Sequence, residues 1–216
     1  MNLEQARFNM IEQQIRPCDV YNATILKLLS TVKREEFVPA NYTNLAFSDL
    51  AIPLPGGQKM FTPIIEGLLL QNLMLDKKHK VLEIGTGSGF LTAILSKMAD
   101  FVYSIELDPQ NQKLAIDNLT KHGVTNVSVI GANGIHGLPN KAPFDRILVS
   151  GGLIEVSNNL KSQLKVGGKL IAIIGTRPIM HAISIERIAE SKYVQTELFE
   201  TDVEYLISEN TLKFKF

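Results

Sequence analysis

The stretch "KVLEIGTGSGFL", residues 80–91, decides the fold of this chain. An apolar run typical of a buried strand leads into three glycines at alternate positions, Gly85, Gly87 and Gly89, and an apolar helical pattern follows. Glycine lets a backbone approach a ligand closely and adopt torsions that a side chain forbids. The stretch therefore predicts a strand, a tight turn and a helix whose N-terminus faces a bound ligand.

Strand and helix patterns continue to alternate after this turn. Apolar runs at 101–107, 127–131, 144–151 and 168–175 are typical of strands, and residues 110–123 have the pattern of a helix. Continuous apolar runs between helices indicate a parallel sheet covered on both faces. We therefore expect an α/β protein with a mostly parallel, Rossmann-like sheet and helices on both faces.

The C-terminal part of the chain changes character. Residues 181–190 and 202–207 have strand patterns with no helix between them, and "LKFKF", residues 212–216, alternates with period two. We expect these segments to form an antiparallel edge of the sheet.

The N-terminal part reads as two amphipathic helices within residues 1–39. Phe8, Ile11 and Ile15 share one helical face, and a second apolar set with helical spacing lies between residues 25 and 32. We expect both faces to be buried.

A long loop and a third helix follow. Residues 40–61 include a stretch rich in Pro and Gly, and a helix is predicted from Pro63, with Thr62 as its N-cap. The chain thus divides into an N-terminal helical cap with this loop, residues 1–75, and an α/β core, residues 76–216, within one compact domain.

Composition excludes several classes of protein. The 22 basic and 22 acidic residues balance, so bulk charge predicts no nucleic-acid partner. No stretch reaches the roughly 20 apolar residues that a membrane span needs, and Cys18 is the single cysteine. The four histidines show no metal-ligand spacing with it. We expect a cytoplasmic protein without membrane or metal.

Two acidic residues indicate which ligand the glycine turn binds. The turn lacks the third glycine of a dinucleotide fingerprint, since position 90 is Phe, and Glu83 at the strand end would repel a pyrophosphate. Glu83 suits a positive amino group instead. Glu106 ends the second strand, where a carboxylate can accept the ribose hydroxyls. An adenosine with a cationic amino-acid tail and no phosphate is S-adenosyl-L-methionine.

The third strand ends in a further candidate contact. Asn133 can bond the adenine edge and Gly134 allows close approach, although the pair also has the sequence of a simple Asn-Gly turn. The predicted cofactor-binding residues are Glu83, Gly85, Thr86, Gly87, Gly89, Glu106, Leu107, Asn133 and Gly134.

Four stretches resemble the protein-L-isoaspartate O-methyltransferase family of class I methyltransferases. They are "ILKLLSTVKREEFVP", "IPLPGGQKMFTP", "VLEIGTGSGF" and "GANGIHGLPNKAPFDRILVSGG". The likeness covers roughly residues 5 to 207 and includes stretches outside the common cofactor-binding part. It implies the class I methyltransferase fold, S-adenosyl-L-methionine as cofactor, and methyl transfer to a carboxylate of isoaspartyl residues in proteins or peptides, which is a protein-repair reaction.

The substrate loop departs from the family pattern "GQTIS". Lys59 and Phe61 stand where the family has Thr and Ser, whose hydroxyl the resemblance places at the reacting carboxylate. The Lys59 ammonium can pair with that carboxylate or lie in water, and Phe61 can stack on the cofactor or fill the site. The candidate catalytic residues are Lys59 and Thr62, and the candidate substrate-loop residues are Gln58, Met60, Phe61 and Ser150.

Three functions remain open at this point. The first is methylation of isoaspartyl carboxylates in proteins or peptides, and the second is methylation of another acceptor, such as a small molecule. The third is a cofactor-binding module without turnover that acts through protein contacts. A carboxylate nucleophile is ionised near neutral pH and needs no general base, so the lack of an obvious catalytic dyad does not argue against an enzyme.

Overall fold

The strands form one mixed sheet in the computed structural model of the protein, which describes residues 2–206. Within these residues the strand order is β3-β2-β1-β4-β5-β6-β7. The strands are β1 (Lys80–Ile84), β2 (Phe101–Glu106), β3 (Val127–Gly131), β4 (Phe144–Leu153), β5 (Leu164–Thr176), β6 (Ile179–Ala189) and β7 (Lys192–Thr201).

The first five strands are parallel and the last two are antiparallel. The chain runs outward from β1 to β3 and then returns to place β4 on the other side of β1. Ligands of open α/β sheets bind beyond the carboxyl ends of the strands at such a switch point. The topology therefore sets the site at the ends of β1, β2 and β4, and it confirms the predicted α/β class.

Six helices of the described residues pack on the sheet or on one another through apolar side chains. They are α1 (Leu3–Met10), α2 (Ala23–Thr31), α3 (Pro63–Leu73), α4 (Phe90–Met98), α5 (Pro109–Lys121) and α6 (Asn158–Ser162). Buried residues of α2 and α3, such as Ile25 and Leu69, share a hydrophobic cluster with Val81 of β1 and Ile171 of β5. The N-terminal helices and the sheet therefore enclose a common core.

The predicted buried face of the first helix is partly wrong. Ile11 and Ile15 are buried, but Phe8 is 58% exposed and Met10 is buried instead. Residues Ile11–Ile15 form a π-helical turn directly after α1. The spacing of an uninterrupted α-helix does not hold across that change of hydrogen bonding, so Phe8 does not share the face of Ile11 and Ile15.

The antiparallel edge is present, but one of its strands was misplaced. The strand β7 follows β6 through a tight turn and was not predicted, because its mostly exposed, polar sequence lacks a core-facing pattern. The predicted strand at 202–207 is wrong over residues 202–206, which make one isolated bridge, between Gly152 and Tyr205. The "LKFKF" segment lies outside the described residues.

Candidate active site

A cavity opens at the carboxyl ends of the central strands. It is enclosed by the loop before α3, the glycine turn, the ends of β2 and β3, and the segment that follows β7. The predicted residues that line it are Gln58, Lys59, Met60, Phe61, Thr62, Gly85, Gly87, Glu106, Leu107, Asn133, Gly134 and Ser150. Three predicted residues, Glu83, Thr86 and Gly89, lie outside this lining.

Glu106 is held in place by backbone N–H groups at the edge of the cavity. Its Oε2 accepts the N–H of Gly87 at 2.8 Å, and its Oε1 accepts the N–H of Asp108 at 3.0 Å. Burial raises the pKa of the Glu106 carboxyl, while the backbone donors act in the opposite direction. Each carboxylate oxygen has a further lone pair, so two vicinal hydroxyls can be accepted from the cavity side.

The glycine turn brings bare backbone to the cavity wall. Gly85 has φ +94°, and a Cβ built on it would lie 3.1 Å from the carbonyl oxygen of Ser150 and 3.1 Å from Leu206 Cδ2. Gly89, with φ +83°, is the N-cap residue of α4. A side chain at Gly85 would be strained and crowded, so glycine is required by conformation as well as by space.

Glu83 lies beneath the turn rather than in the cavity. It is fully buried, and its Oε2 accepts bonds from Thr92 Oγ1 at 2.5 Å and Ser104 Oγ at 2.7 Å. Thr86 Oγ1 lies 2.6 Å from Ser104 Oγ. Burial raises the pKa of Glu83 to about 7. Direct contact with the cofactor's ammonium requires a residue that lines the cavity, and Glu83 does not line it. Its hydrogen bonds connect β1 to β2 and to α4 instead.

Two polar atoms of this region are buried without a hydrogen-bond partner among the described residues. They are Glu83 Oε1 and the Oγ of Ser150, and Ser150 also lines the cavity. Buried polar atoms are normally paired. The Ser150 hydroxyl also acts on the pKa of Glu83 as a neighbouring hydrogen-bonding group, so the two side chains are close to each other. Ser150 is the one of the two that lines the cavity, where a polar group of a ligand or a water can reach it.

Asn133 serves the local turn first. Its Oδ1 accepts the N–H of Ile135 at 3.1 Å and so caps a short 3₁₀ turn at Gly134–His136. Gly134 is buried, and a Cβ there would lie 2.7 Å from Ile84 Cγ2. The turn interpretation is confirmed, and Asn133 also lines the cavity. Its contact with the adenine edge stays a prediction.

The loop before α3 is a small hairpin anchored on α5. The N–H of Leu54 donates to the Gln58 carbonyl at 2.7 Å, and the N–H of Met60 donates to the Ile52 carbonyl at 2.8 Å. Asn111 of α5 accepts the N–H of Gly56 and donates to Gln58 Oε1 at 3.1 Å. The Gln58 side chain therefore fixes the loop, a role that sequence analysis did not assign to it.

A buried ion pair supports the other end of the loop and was missed by sequence analysis. Arg34, with no exposed surface, donates to the carbonyl of Phe61 at 2.7 Å and to the carbonyl of Ala46 at 3.0 Å. It also bonds Glu66 Oε2 at 3.0 Å. The planar guanidinium of arginine can donate to several acceptors at once. The Arg34 side chain thereby holds the Phe61 backbone at the cavity wall.

Thr62 occupies the N-cap position of α3 without capping it through its side chain. Asp49 Oδ1 instead accepts the N–H of Ile64 at 3.2 Å. The predicted position is therefore correct and the predicted capping bond is wrong, because an acidic residue from the preceding loop takes that N–H. Thr62 lines the cavity.

Two ion pairs that sequence analysis did not foresee lie in the cavity wall. Lys59 Nζ contacts Glu204 Oε1 at 2.7 Å. Arg177 binds Asp202 through two bonds, of 2.6 and 3.0 Å. All four residues line the cavity. Both acids come from the segment after β7, whose backbone bonds to Gly152 through Glu204 and Leu206.

The described residues offer neither a metal site nor a membrane-spanning helix. Residues 2–206 contain no group of three His, Cys, Asp or Glu side chains placed to hold a metal ion. None of the helices in that range is long and apolar enough to cross a membrane.

Known proteins resemble this chain over most of its length. The sequence profile of the protein-L-isoaspartate(D-aspartate) O-methyltransferase family matches residues 5–208. A protein-L-isoaspartate O-methyltransferase 2 from Marinobacter nauticus is 37% identical over 195 residues, which are 90% of this chain and 89% of that protein. A protein-L-isoaspartate O-methyltransferase 1 from Syntrophobacter fumaroxidans is 36% identical over 186 residues, or 86% and 87%. The chain belongs to this family.

Solved structures share the fold. A structure of a protein-L-isoaspartate O-methyltransferase superposes with TM-score 0.79 at 26% identity, covering 94% of this chain and 66% of that one. A Plasmodium falciparum protein described as a member of the family, in complex with S-adenosyl-L-homocysteine, gives TM-score 0.80 at 18% identity, covering 96% and 99%. The second likeness concerns the fold alone.

Membership of the protein-L-isoaspartate O-methyltransferase family confirms the resemblance on which the sequence analysis relied. The family is one of S-adenosyl-L-methionine-dependent methyltransferases, so the predicted enzyme class and cofactor are confirmed. The residues present fit that cofactor, since Glu106 offers free lone pairs, Gly85 and Gly87 offer bare backbone, and Ser150 offers an unpaired hydroxyl.

Proposed function

We propose that this enzyme methylates the free carboxylate of isoaspartyl residues in proteins or peptides, and that it does so in cytoplasmic protein repair. The observation that carries the proposal is the family match over residues 5–208, which includes the substrate loop as well as the cofactor turn. The single Cys18 is consistent with a reducing compartment.

The chemistry is an in-line displacement. S-adenosyl-L-methionine, when bound, supplies a methyl group on a positively charged sulfur. A substrate carboxylate oxygen would form the new O–CH₃ bond while the S–CH₃ bond broke and left its electron pair on sulfur. Because the carboxylate is already ionised, no residue has to remove a proton, and the protein's task is to position the two partners.

The residues of this chain divide that task. Glu106 would accept hydrogen bonds from the ribose hydroxyls, and Asn133 would bond the adenine edge. Met60 and Phe61, both buried, would exclude water from the reacting atoms. Excluding water strengthens the attraction between an incoming carboxylate and a cationic methyl donor.

The altered loop is the argument for a different acceptor. Lys59 and Phe61 replace two hydroxyl residues of the family pattern, and Phe61 is only 9% exposed, so it occupies space in the cavity wall. A smaller or differently shaped acceptor would therefore be the alternative to an isoaspartyl peptide.

The test is a methylation assay with methyl-labelled S-adenosyl-L-methionine and two peptides. One peptide carries an isoaspartyl residue, and its matched control carries aspartate at the same position. We expect label in the isoaspartyl peptide and none in its twin. If neither peptide is labelled while the protein still binds S-adenosyl-L-homocysteine, the acceptor is another molecule or turnover is absent.

A further inference from the structure

Lys59 stands out among the basic residues that line the cavity. Within residues 2–206 its ammonium contacts one carboxylate, Glu204 Oε1 at 2.7 Å, and its side chain is 43% exposed. Arg177, the other basic lining residue, is held by two bonds to Asp202. A one-point, partly exposed ion pair is weakly held, whereas a two-bond arginine pair is geometrically fixed.

The two residues that follow Lys59 are apolar, so a carboxylate that binds beside them needs a positively charged partner. Met60 and Phe61, the two residues that follow it, are buried and line the cavity together with Leu54 and Ile65. A substrate carboxylate that enters beside these side chains loses water, and an unpaired charge in such surroundings is costly. Lys59 can supply that partner, because its contact with Glu204 is broken more easily than the two-bond contact of Arg177 with Asp202.

We propose that Glu204 acts as an internal stand-in for the substrate, and that the isoaspartyl carboxylate displaces it from Lys59. This inference rests on the proposed function and adds its specificity-determining pair. One carboxylate oxygen accepts a hydrogen bond from Lys59 Nζ, which leaves the other oxygen to form the new bond to the methyl group.

The exchange also accounts for release of the product. Methyl transfer converts the carboxylate into a neutral ester, and no proton moves. An ester offers the ammonium much less than a carboxylate does, so Glu204 regains Lys59. Backbone hydrogen bonds to Gly152 hold the segment that carries Glu204, so the Glu204 carboxylate stays close to Lys59.

The competing explanation is a simple clamp, in which the Lys59–Glu204 pair closes the loop against the segment after β7. The two explanations predict different signs. In the exchange, Glu204→Gln frees Lys59 and lowers KM for an isoaspartyl peptide by about two- to fivefold, the scale of an exposed ion pair. Lys59→Met raises KM by about tenfold or more. In a clamp, both substitutions break the same contact and change KM in the same direction.

The experiment measures KM, kcat and peptide binding for the full-length wild type, Glu204→Gln, Lys59→Met and a matched control. The control is Glu197→Gln, which removes an exposed carboxylate on β7 that pairs with His181 of β6, outside the cavity lining. Binding is followed by fluorescence anisotropy of a labelled isoaspartyl peptide with S-adenosyl-L-homocysteine present. A second peptide, with a carboxamide in place of the isoaspartyl carboxylate, reports whether charge is read.

We expect Glu204→Gln to lower KM for the isoaspartyl peptide, Lys59→Met to raise it, and Glu197→Gln to leave it unchanged. With the carboxamide peptide, we expect the variants to bind equally. Effects of the same sign, or equal effects with both peptides, would overturn the inference even if the wild type methylates normally. Opposite signs in binding with no methyl transfer would uphold the exchange and refute the proposed function. Failure of every variant to bind the isoaspartyl peptide would overturn both.

Discussion

The buried guanidinium of Arg34 donates to the backbone carbonyl of Phe61 at 2.7 Å, and so connects the N-terminal helical region to the wall of the cavity. The same side chain pairs with Glu66, and burial raises the pKa of that carboxyl to about 7 against the opposing effect of Arg34. Through Ala46, Phe61 and Glu66, Arg34 connects three segments of the chain. A buried ion pair by itself is weak support for stability.

Replacing Arg34 by Met should therefore destabilise the protein. The change leaves Glu66 and two carbonyls without their donor, and breaking one side of a buried pair costs about 3–5 kcal/mol. Urea unfolding followed by circular dichroism measures the loss. The matched control is Arg16→Met, whose pair with Glu12 is exposed on the surface, and which should leave stability nearly unchanged. Equal losses for the two variants would refute the role given to Arg34.

Glu106 should control cofactor affinity. Glu106→Ala removes the carboxylate that we propose accepts the ribose hydroxyls, and hydrogen bonds to a charged group are worth about 1.5–3 kcal/mol. Affinity for S-adenosyl-L-homocysteine, measured by calorimetry, should fall by about ten- to a hundredfold. Glu200→Ala, at an exposed position of β7, is the control. Tight binding of NAD by the wild type, without a response to S-adenosyl-L-homocysteine, would contradict the account.

A pair of glycine substitutions can separate backbone strain from crowding at the turn. Gly85 and Gly123 both have positive φ, but a Cβ would meet the Ser150 carbonyl at 3.1 Å only in the first case, and nothing within 4 Å in the second. Gly123→Ala should cost about 1–2 kcal/mol of stability through strain alone. Gly85→Ala should cost more and weaken cofactor binding. Indistinguishable variants would mean that the close approach at Gly85 is unimportant.

Glu83 predicts a pH dependence of stability with a definite sign. Burial raises the pKa of Glu83 in the folded protein to about 7, above the ordinary glutamate value of 4.5, so the folded state binds a proton more tightly than the unfolded state. The contribution of this group to stability is therefore most favourable below pH 4.5 and falls as the pH rises through 7.

Glu83→Gln removes that dependence, because glutamine does not titrate in this range. The free energy of unfolding of the variant, relative to wild type, should improve between about pH 5 and about pH 8. Subtracting the two profiles also removes the parallel contribution of Glu66, which has the same sign. A difference that stays constant with pH would show that Glu83 does not titrate in the folded protein.

Much of the fold followed from local pattern. The strands β1 to β5 are continuous apolar runs, and the glycine turn has a conformation that few other residues adopt, so both are visible in the sequence. The edge strand β7 was missed because an exposed edge has no buried side to produce a pattern. Phe8 was misplaced because a π-helical turn changes the spacing on which a helical face depends.

The site divides in the same way. Glu106, Asn133 and the glycines were predicted because each lies at or just after the end of a strand, and the carboxyl ends of parallel strands converge on one edge of the sheet. The pairing of Lys59 with Glu204 was not predictable. The two residues belong to distant segments, and their contact depends on how the chain after β7 returns across β4. Arg34 was missed because nothing local distinguishes a buried arginine from a solvated one.

The central claim is that this enzyme esterifies the isoaspartyl carboxylate itself, and tandem mass spectrometry of the product tests it most directly. An isoaspartyl peptide that also contains a glutamate and a free C-terminus would be incubated with the wild type and S-adenosyl-L-methionine. We expect one added methyl group, located on the isoaspartyl residue and removed by mild alkali. A methyl group on the glutamate, on the C-terminus or on nitrogen, or an unmodified peptide, would contradict it.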